Sequence, residues 1–313
     1  MIDPDSIPAA SCGPEEHADW LELAAARHPD HRYSRRAFIS DLNISSTTDG
    51  LLEEKESEDD SRDSAYQIEA IVDDAFSEMD DRLRACGGDS SVYPFVFGED
   101  GLELHPESAD NVYTFLLLLS AYGKDAGPKG SCGAKLFEEV SAQAAASYFG
   151  GRSRVFGFPR TDYPKGFADA VDSLCRDMGE GEGCKRTRQE LPHQKDAKLD
   201  VVAWRDFPDR RVGKMIAFGQ CATTEDWGEK VLELPDPHSW CSHWMMDQPI
   251  APPARMFFLP HRIDRGEWAW ASRRGGVLFD RCRIAHFARE IDGDLKERLS
   301  AWSAHVLEAK VWR

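Results

Sequence analysis

The chain has 313 residues, 41% of them hydrophobic and 10% aromatic, and a formal net charge of −18. That size and composition exclude a disordered or fibrous chain and fit a globular protein with a substantial core. No apolar run is long enough to span a bilayer, and the start "MIDPDSIPAASCGPEEH" lacks the basic and apolar parts of a secretion signal, so a cytoplasmic protein is expected.

The charge is unevenly placed. Residues 1–125 hold 29 acids against 9 Lys and Arg, whereas residues 126–313 hold 27 against 29. Acidic surfaces do not steer toward phosphate backbones. Any nucleic-acid contact is therefore expected on the second part, with a partner protein supplying affinity that the lone chain lacks.

In chain order, His17–His28 has apolar residues at helical spacing. Ala65–Cys86 does so more clearly, with Ile68, Ile71, Val72, Ala75, Met79 and Leu83 in one stripe. Between them, Glu53–Asp63 is charged and free of apolar residues, which predicts a mobile loop near residues 45–64. Tyr93–Phe97 reads as a short strand or turn, and Tyr113–Tyr122, "YTFLLLLSAY", as a buried helix. Lys124–Lys135, rich in Gly, Lys and Pro, is the candidate boundary between a mostly helical region (1–125) and a second domain (126–313). Its "GPKGSCGAK" lacks the spacing of a phosphate loop.

Beyond it the spacing predicts helices over Lys135–Gly150 and Phe167–Gly181, then β-rich runs at Leu199–Trp204, Lys214–Cys221 and Arg255–Pro260. The first two runs are joined as a hairpin. Thr223–Leu234 reads as a helix capped by Thr223 or Thr224, and Gly275–Phe287 as a strand entering a helix. This order implies an α/β fold with a mixed sheet, in the α+β sense.

Eight cysteines form no CxxC pair and match no zinc pattern, so reduced, buried thiols are expected. Cys241 and His243 have no second pair at motif spacing. Three other residues stand where such a sheet gathers them: Glu138 on the first helix, Asp200 opening an apolar strand, and Gln220 closing the next. Singly, each has a structural reading as helix surface, strand cap or buried amide. Together they suit one hard cation, since Mg²⁺ needs only a few protein oxygens and keeps its remaining waters.

The run "KLFEEV…DAKLDVVAW…MIAFGQCA" resembles the core of the PD-(D/E)XK nuclease superfamily, in its Mrr-like restriction-endonuclease branch. Phe137–Glu138 matches the helix motif, Asp196 and Asp200 the spaced aspartates, and Gln220 the Gln of Q-x-K, over roughly residues 135–262. The resemblance implies a Mg²⁺- or Mn²⁺-dependent nuclease acting on DNA rather than RNA, with Asp200, Gln220 and Glu138 at the metal. The wider sequence is also similar to bacterial proteins encoded near anti-phage systems. The family lysine is missing, because the position two after Gln220 is Ala222. Lys198 could replace it from the strand face of Asp200, whereas Lys214 lies about 20 Å along the strand. A histidine such as His193 is another route. The alternative is a nuclease fold that no longer cuts and scaffolds a partner nuclease or helicase.

The remaining candidates stay open. His261, Arg262, Arg281 and Arg283 end apolar runs, where they would line a phosphate-binding groove or pair with the acidic region. Cys221 reads as a buried thiol rather than a nucleophile. Trp240, Trp244, Trp268 and Trp270 fit base stacking, core or subunit interface.

Overall fold

A computed structural model describes residues 3–48, 58–105, 111–187, 189, 191–224, 226–233 and 236–310. The first region holds α1 (Pro14–Arg27), β1 (Arg32–Ser34), α2 (Arg35–Thr48), α3 (Glu58–Ala85), β2 (Phe95–Gly98), β3 (Gly101–Leu104) and α4 (Val112–Tyr122). Its three strands form a small antiparallel sheet in the order β1-β3-β2. The second region holds α5 (Gly133–Phe149), β4 (Arg152–Val155), α6 (Phe167–Met178), β5 (Val201–Trp204), β6 (Ile216–Cys221), α7 (Trp227–Glu233) and α8 (Pro237–Trp244). It closes with β7 (Ala254–Phe258), α9 (Arg265–Gly275), β8 (Val277–Phe279), α10 (Arg281–Phe287) and α11 (Gly293–Lys310).

The larger sheet has the order β4-β5-β6-β7-β8. The first three strands are antiparallel, and β7 and β8 add in parallel. The fold is thus mixed α/β of the α+β kind, as expected. Side-chain alternation assigns its two faces. Val201, Ala203, Ala217, Met256 and Phe258 pack with α4, α5, α10 and α11. On the other face Val202, Trp204 and Phe218 meet α6 and α8, and Phe257 and Leu278 meet α7 and α9. Both faces being covered, the four residues of β5 are all buried.

Several expectations shift. The run expected as a loop near residues 45–64 is helical at both ends, in α2 and α3, and residues 49–57 lie outside the described residues. The helix expected from Thr223 begins only at Trp227, so neither threonine caps it. The polar strand β4 carries no apolar alternation, because as an edge strand it needs only one partner and keeps its arginines in water.

Lys124–Cys132 is the loop between α4 and α5, yet one apolar cluster runs from α1 through α4 and α5 to α11. A buried ion network crosses the same seam. Arg281 places Nη1 2.5 Å and Nη2 2.9 Å from the two carboxylate oxygens of Asp19, and donates through Nε to the carbonyl of Pro260. Arg82 Nη1 lies 2.7 Å from Asp19 and 3.0 Å from Glu22, while Tyr93 and Tyr113 donate their hydroxyls to Glu22. Arg262 joins Glu78 to Asp280. Burial opposes ionisation of Asp19, but Arg281 and Arg82 hold its carboxyl well below the usual range. Among the described residues no helix is long and apolar enough to cross a membrane.

Candidate active site

The site lies where β4 ends, β5 begins and β6 ends. Asp200 immediately precedes β5, and its backbone is fully engaged. Its N–H donates to Gly219 O at 3.0 Å, and its carbonyl accepts from the N–H groups of Phe156 and Gly157 at 2.6 and 3.1 Å. The carboxylate is fixed as well, since Oδ2 accepts from the Cys221 N–H at 2.9 Å. This residue is held on three sides by adjacent strands.

Glu138 arrives from α5, which packs across β4 and β5. Phe137 points into the core, so Glu138 turns toward the sheet end, with its side chain 13% exposed. The two carboxylates flank one point beside Gly157. A methyl group there would sit 2.6 Å from Glu138 Oε2 and 3.1 Å from Asp200 Oδ1. Gly157→Ala is therefore expected to push the carboxylates apart. The nearer obstructing atom ends the longer Glu138 side chain, which can swing aside while Asp200 stays on the Cys221 N–H, so the melting temperature should move by only a few degrees.

The electrostatics match this crowding. Burial and the neighbouring Asp200 push Glu138 up to about 8, against the pull of Lys135. Burial likewise raises Asp200 to about 6, with the Cys221 N–H acting the other way, Asp196 adding to the rise, and Lys135 and Lys230 opposing it. Two half-buried acids that resist ionisation side by side are poised to take a cation.

Lys135 is the residue that sequence reasoning missed. It lies one turn before Glu138 on α5, and its Nζ donates to Glu138 Oε2 at 2.6 Å, with the side chain 23% exposed. The i, i+3 relation on a helix is visible in "KLFE", whereas the family pattern places its lysine on a strand.

Lys198 does not reach the site. Ala197 and Lys198 have φ of 53° and 66°, so the chain turns there and the strand face of Asp200 does not extend back to it. Its Nζ instead pairs with Glu233 at 2.8 Å. Lys214 is buried at the far end of β6 against Asp206 and the carbonyl of Met178. Ala222 is fully buried among Val231, Phe257 and Leu259, an apolar setting hostile to a lysine.

Gln220 is 5% exposed, and alternation along β6 sets it on the face of Phe218, opposite α5. Continuing the register of β5 with β6 puts it across from Asp200. Its Oε1 is buried and has no hydrogen-bond partner among the described residues. Asp196 serves the site indirectly, accepting from the N–H groups of Phe158 and Lys198. Burial, Asp200 and Glu138 all raise the Cys221 thiol, which keeps it protonated and unreactive.

The basic groove does not form. Arg281 is buried and Arg262 half-buried in the network with the acidic region, and burial holds His261 neutral by lowering it to about 4. Arg283 donates to the Leu278 carbonyl and lies over the Trp268 ring. No protein-family model matches the chain, and no curated protein or solved structure is significantly similar to it.

Proposed function

We propose that the protein is a metal-dependent hydrolase of phosphodiester bonds in DNA, built on the PD-(D/E)XK plan. The observation that carries this reading is the convergence of Glu138, Asp200 and Lys135 beside Gly157, at one end of the sheet. The sheet topology supports it too: α5 leads into three antiparallel strands, β4–β6, with α6 inserted between β4 and β5, and β7 then adds in parallel after α7 and α8.

The residues fit Mg²⁺ or Mn²⁺. Among the described residues no group of three His, Cys, Asp or Glu side chains forms a metal cage. Two carboxylates suit an ion that keeps most of its waters. Asp200 and Glu138 would hold it, whereas Gln220, expected as a third ligand, lies on the face of β6 opposite α5 and away from Glu138. When bound, the ion would acidify a water and stabilise charge gathered at phosphorus. Glu138 and Asp200 must release protons to accept it, so affinity should rise with pH across the range in which they ionise. Lys135 has the motif lysine's task, positioning the attacking water and donating to the non-bridging oxygens as their charge grows. The Cys221 N–H keeps Asp200 in place.

Plasmid DNA incubated with the protein and Mg²⁺ or Mn²⁺ tests this. Wild type should nick or linearise it, with Asp200→Ala and Lys135→Ala slowed at least a hundredfold. Lys198→Ala should keep its turnover at saturating DNA. Cutting that survives Asp200→Ala unchanged sinks the site assignment. A folded protein that cuts neither DNA nor RNA would instead act as a non-catalytic subunit of the same fold.

A further inference from the structure

Beside the carboxylates the surface changes character. Gly157, which touches both, is followed by Phe158, a large aromatic left 39% exposed. Its N–H donates to Asp196 Oδ2 at 3.3 Å, and the Lys195 ammonium stands 5.8 Å from its ring. Buried Arg160 holds this arrangement from beneath. It stacks on Phe156 at 4.7 Å, approaches the Phe158 ring at 5.8 Å, and donates to the carbonyls of Lys165 and Lys195. The loop carrying Phe158 is thereby tied to the segment carrying Lys195. Next to that segment opens a cavity of about 620 Å³, with His193, Lys195, Asp196 and Lys198 on one side and Trp240 and Trp244 on the other. That volume is in the range of small-ligand sites.

We propose that this face binds unpaired DNA, with the base beside the scissile phosphate stacked on Phe158 and the adjoining phosphates neutralised by Lys195 and Lys198. The proposal rests on the hydrolase reading and names its substrate class. An aromatic face can stack only on a base that has left its duplex neighbours, and such stacking tolerates any sequence. Duplex affinity, by contrast, comes chiefly from phosphate contacts, which a chain of net charge −18 supplies poorly. The Lys198–Glu233 pair is exposed and holds Lys198 only weakly, so a phosphate can displace the carboxylate. This gives Lys198 a role in binding rather than chemistry.

Fluorescence anisotropy in EDTA, where nothing turns over, reads binding alone. A labelled DNA oligonucleotide should bind wild type at least tenfold more tightly as a single strand than as its duplex. Phe158→Ala should lose about tenfold in single-strand affinity, within what one stacked base contributes, and leave duplex binding unchanged. Phe158→Trp should restore it. Lys195→Gln should weaken both and lower the salt slope by about one. Equal affinity for single strand and duplex overturns the proposal. So does unchanged single-strand binding by Phe158→Ala with a native melting temperature, or tighter binding of single-stranded RNA. If plasmid is cut while any of these holds, the substrate class falls and the hydrolase stands. Phe158-dependent single-strand binding by a chain that cuts nothing removes the hydrolase and leaves the binding site.

Discussion

Replacing Arg281 by alanine is expected to destabilise the protein by about 3–5 kcal/mol, the range for breaking a buried ion pair from one side. The guanidinium is fully buried, and Asp19, Ser120 and the Pro260 carbonyl all accept from it. Its removal leaves Asp19 and Glu22 facing Arg82 alone in a site that water does not reach. Burial already pushes Glu22 upward, so it has little capacity to carry the extra charge. Urea denaturation measures the loss. Asp19→Asn in the Arg281→Met background should recover part of it, because the uncompensated charge goes with the carboxylate. A single variant within 1 kcal/mol of wild type would mean that the network does not hold the two regions together.

Asp200→Asn is expected to do the opposite, stabilising the metal-free protein while abolishing the proposed DNA cleavage. Burial raises the folded Asp200 to about 6, against an ordinary 3.8 in the unfolded chain. A carboxyl raised in this way stabilises the fold below its unfolded value and loses that contribution as pH climbs through the folded one. At about 1.36 kcal/mol per unit, wild type gives up about 3 kcal/mol between pH 4 and pH 8. Asparagine does not titrate and can still accept from the Cys221 N–H. The variant should therefore exceed wild type by about 3 kcal/mol at pH 8 and by under about 1 kcal/mol near pH 4. Glu138, raised to about 8, makes the wild-type decline steeper across the same window. Thermal melts across pH provide the measurement. Adding Mg²⁺ at pH 8 should raise the wild-type melting temperature and leave the variant's unchanged. An Asp200→Asn protein less stable than wild type at pH 8 would contradict the crowded-carboxylate description.

Much of this could be read in the residues because it is local. The apolar runs of β5, β6 and β7 are short and nearly continuous because the sheet is covered on both faces, and "YTFLLLLSAY" is a longer run buried all round as a helix. Asp200 stood out only beside Glu138 and Gln220, since a lone acid at the head of "VVAW" also reads as a strand cap. Edge strand β4, by contrast, carries arginines, and its pairing with β5 follows from partners far along the chain. Lys198 was misplaced because period two holds only inside a strand, and two residues of positive φ end the strand before it.

The sequence by itself determined the mixed sheet and the acidic first region, since each depends on neighbours within a few positions, and it singled out Glu138 and Asp200 only through their order and spacing taken together. Only the tertiary structure decided that Lys135, not Lys198, stands beside them. It alone decided that Arg262 and Arg281 neutralise buried acids instead of phosphates, and that Phe158 borders the site. These are encounters between groups on separate elements, fixed by how helices and strands pack, and no spacing along the chain encodes them.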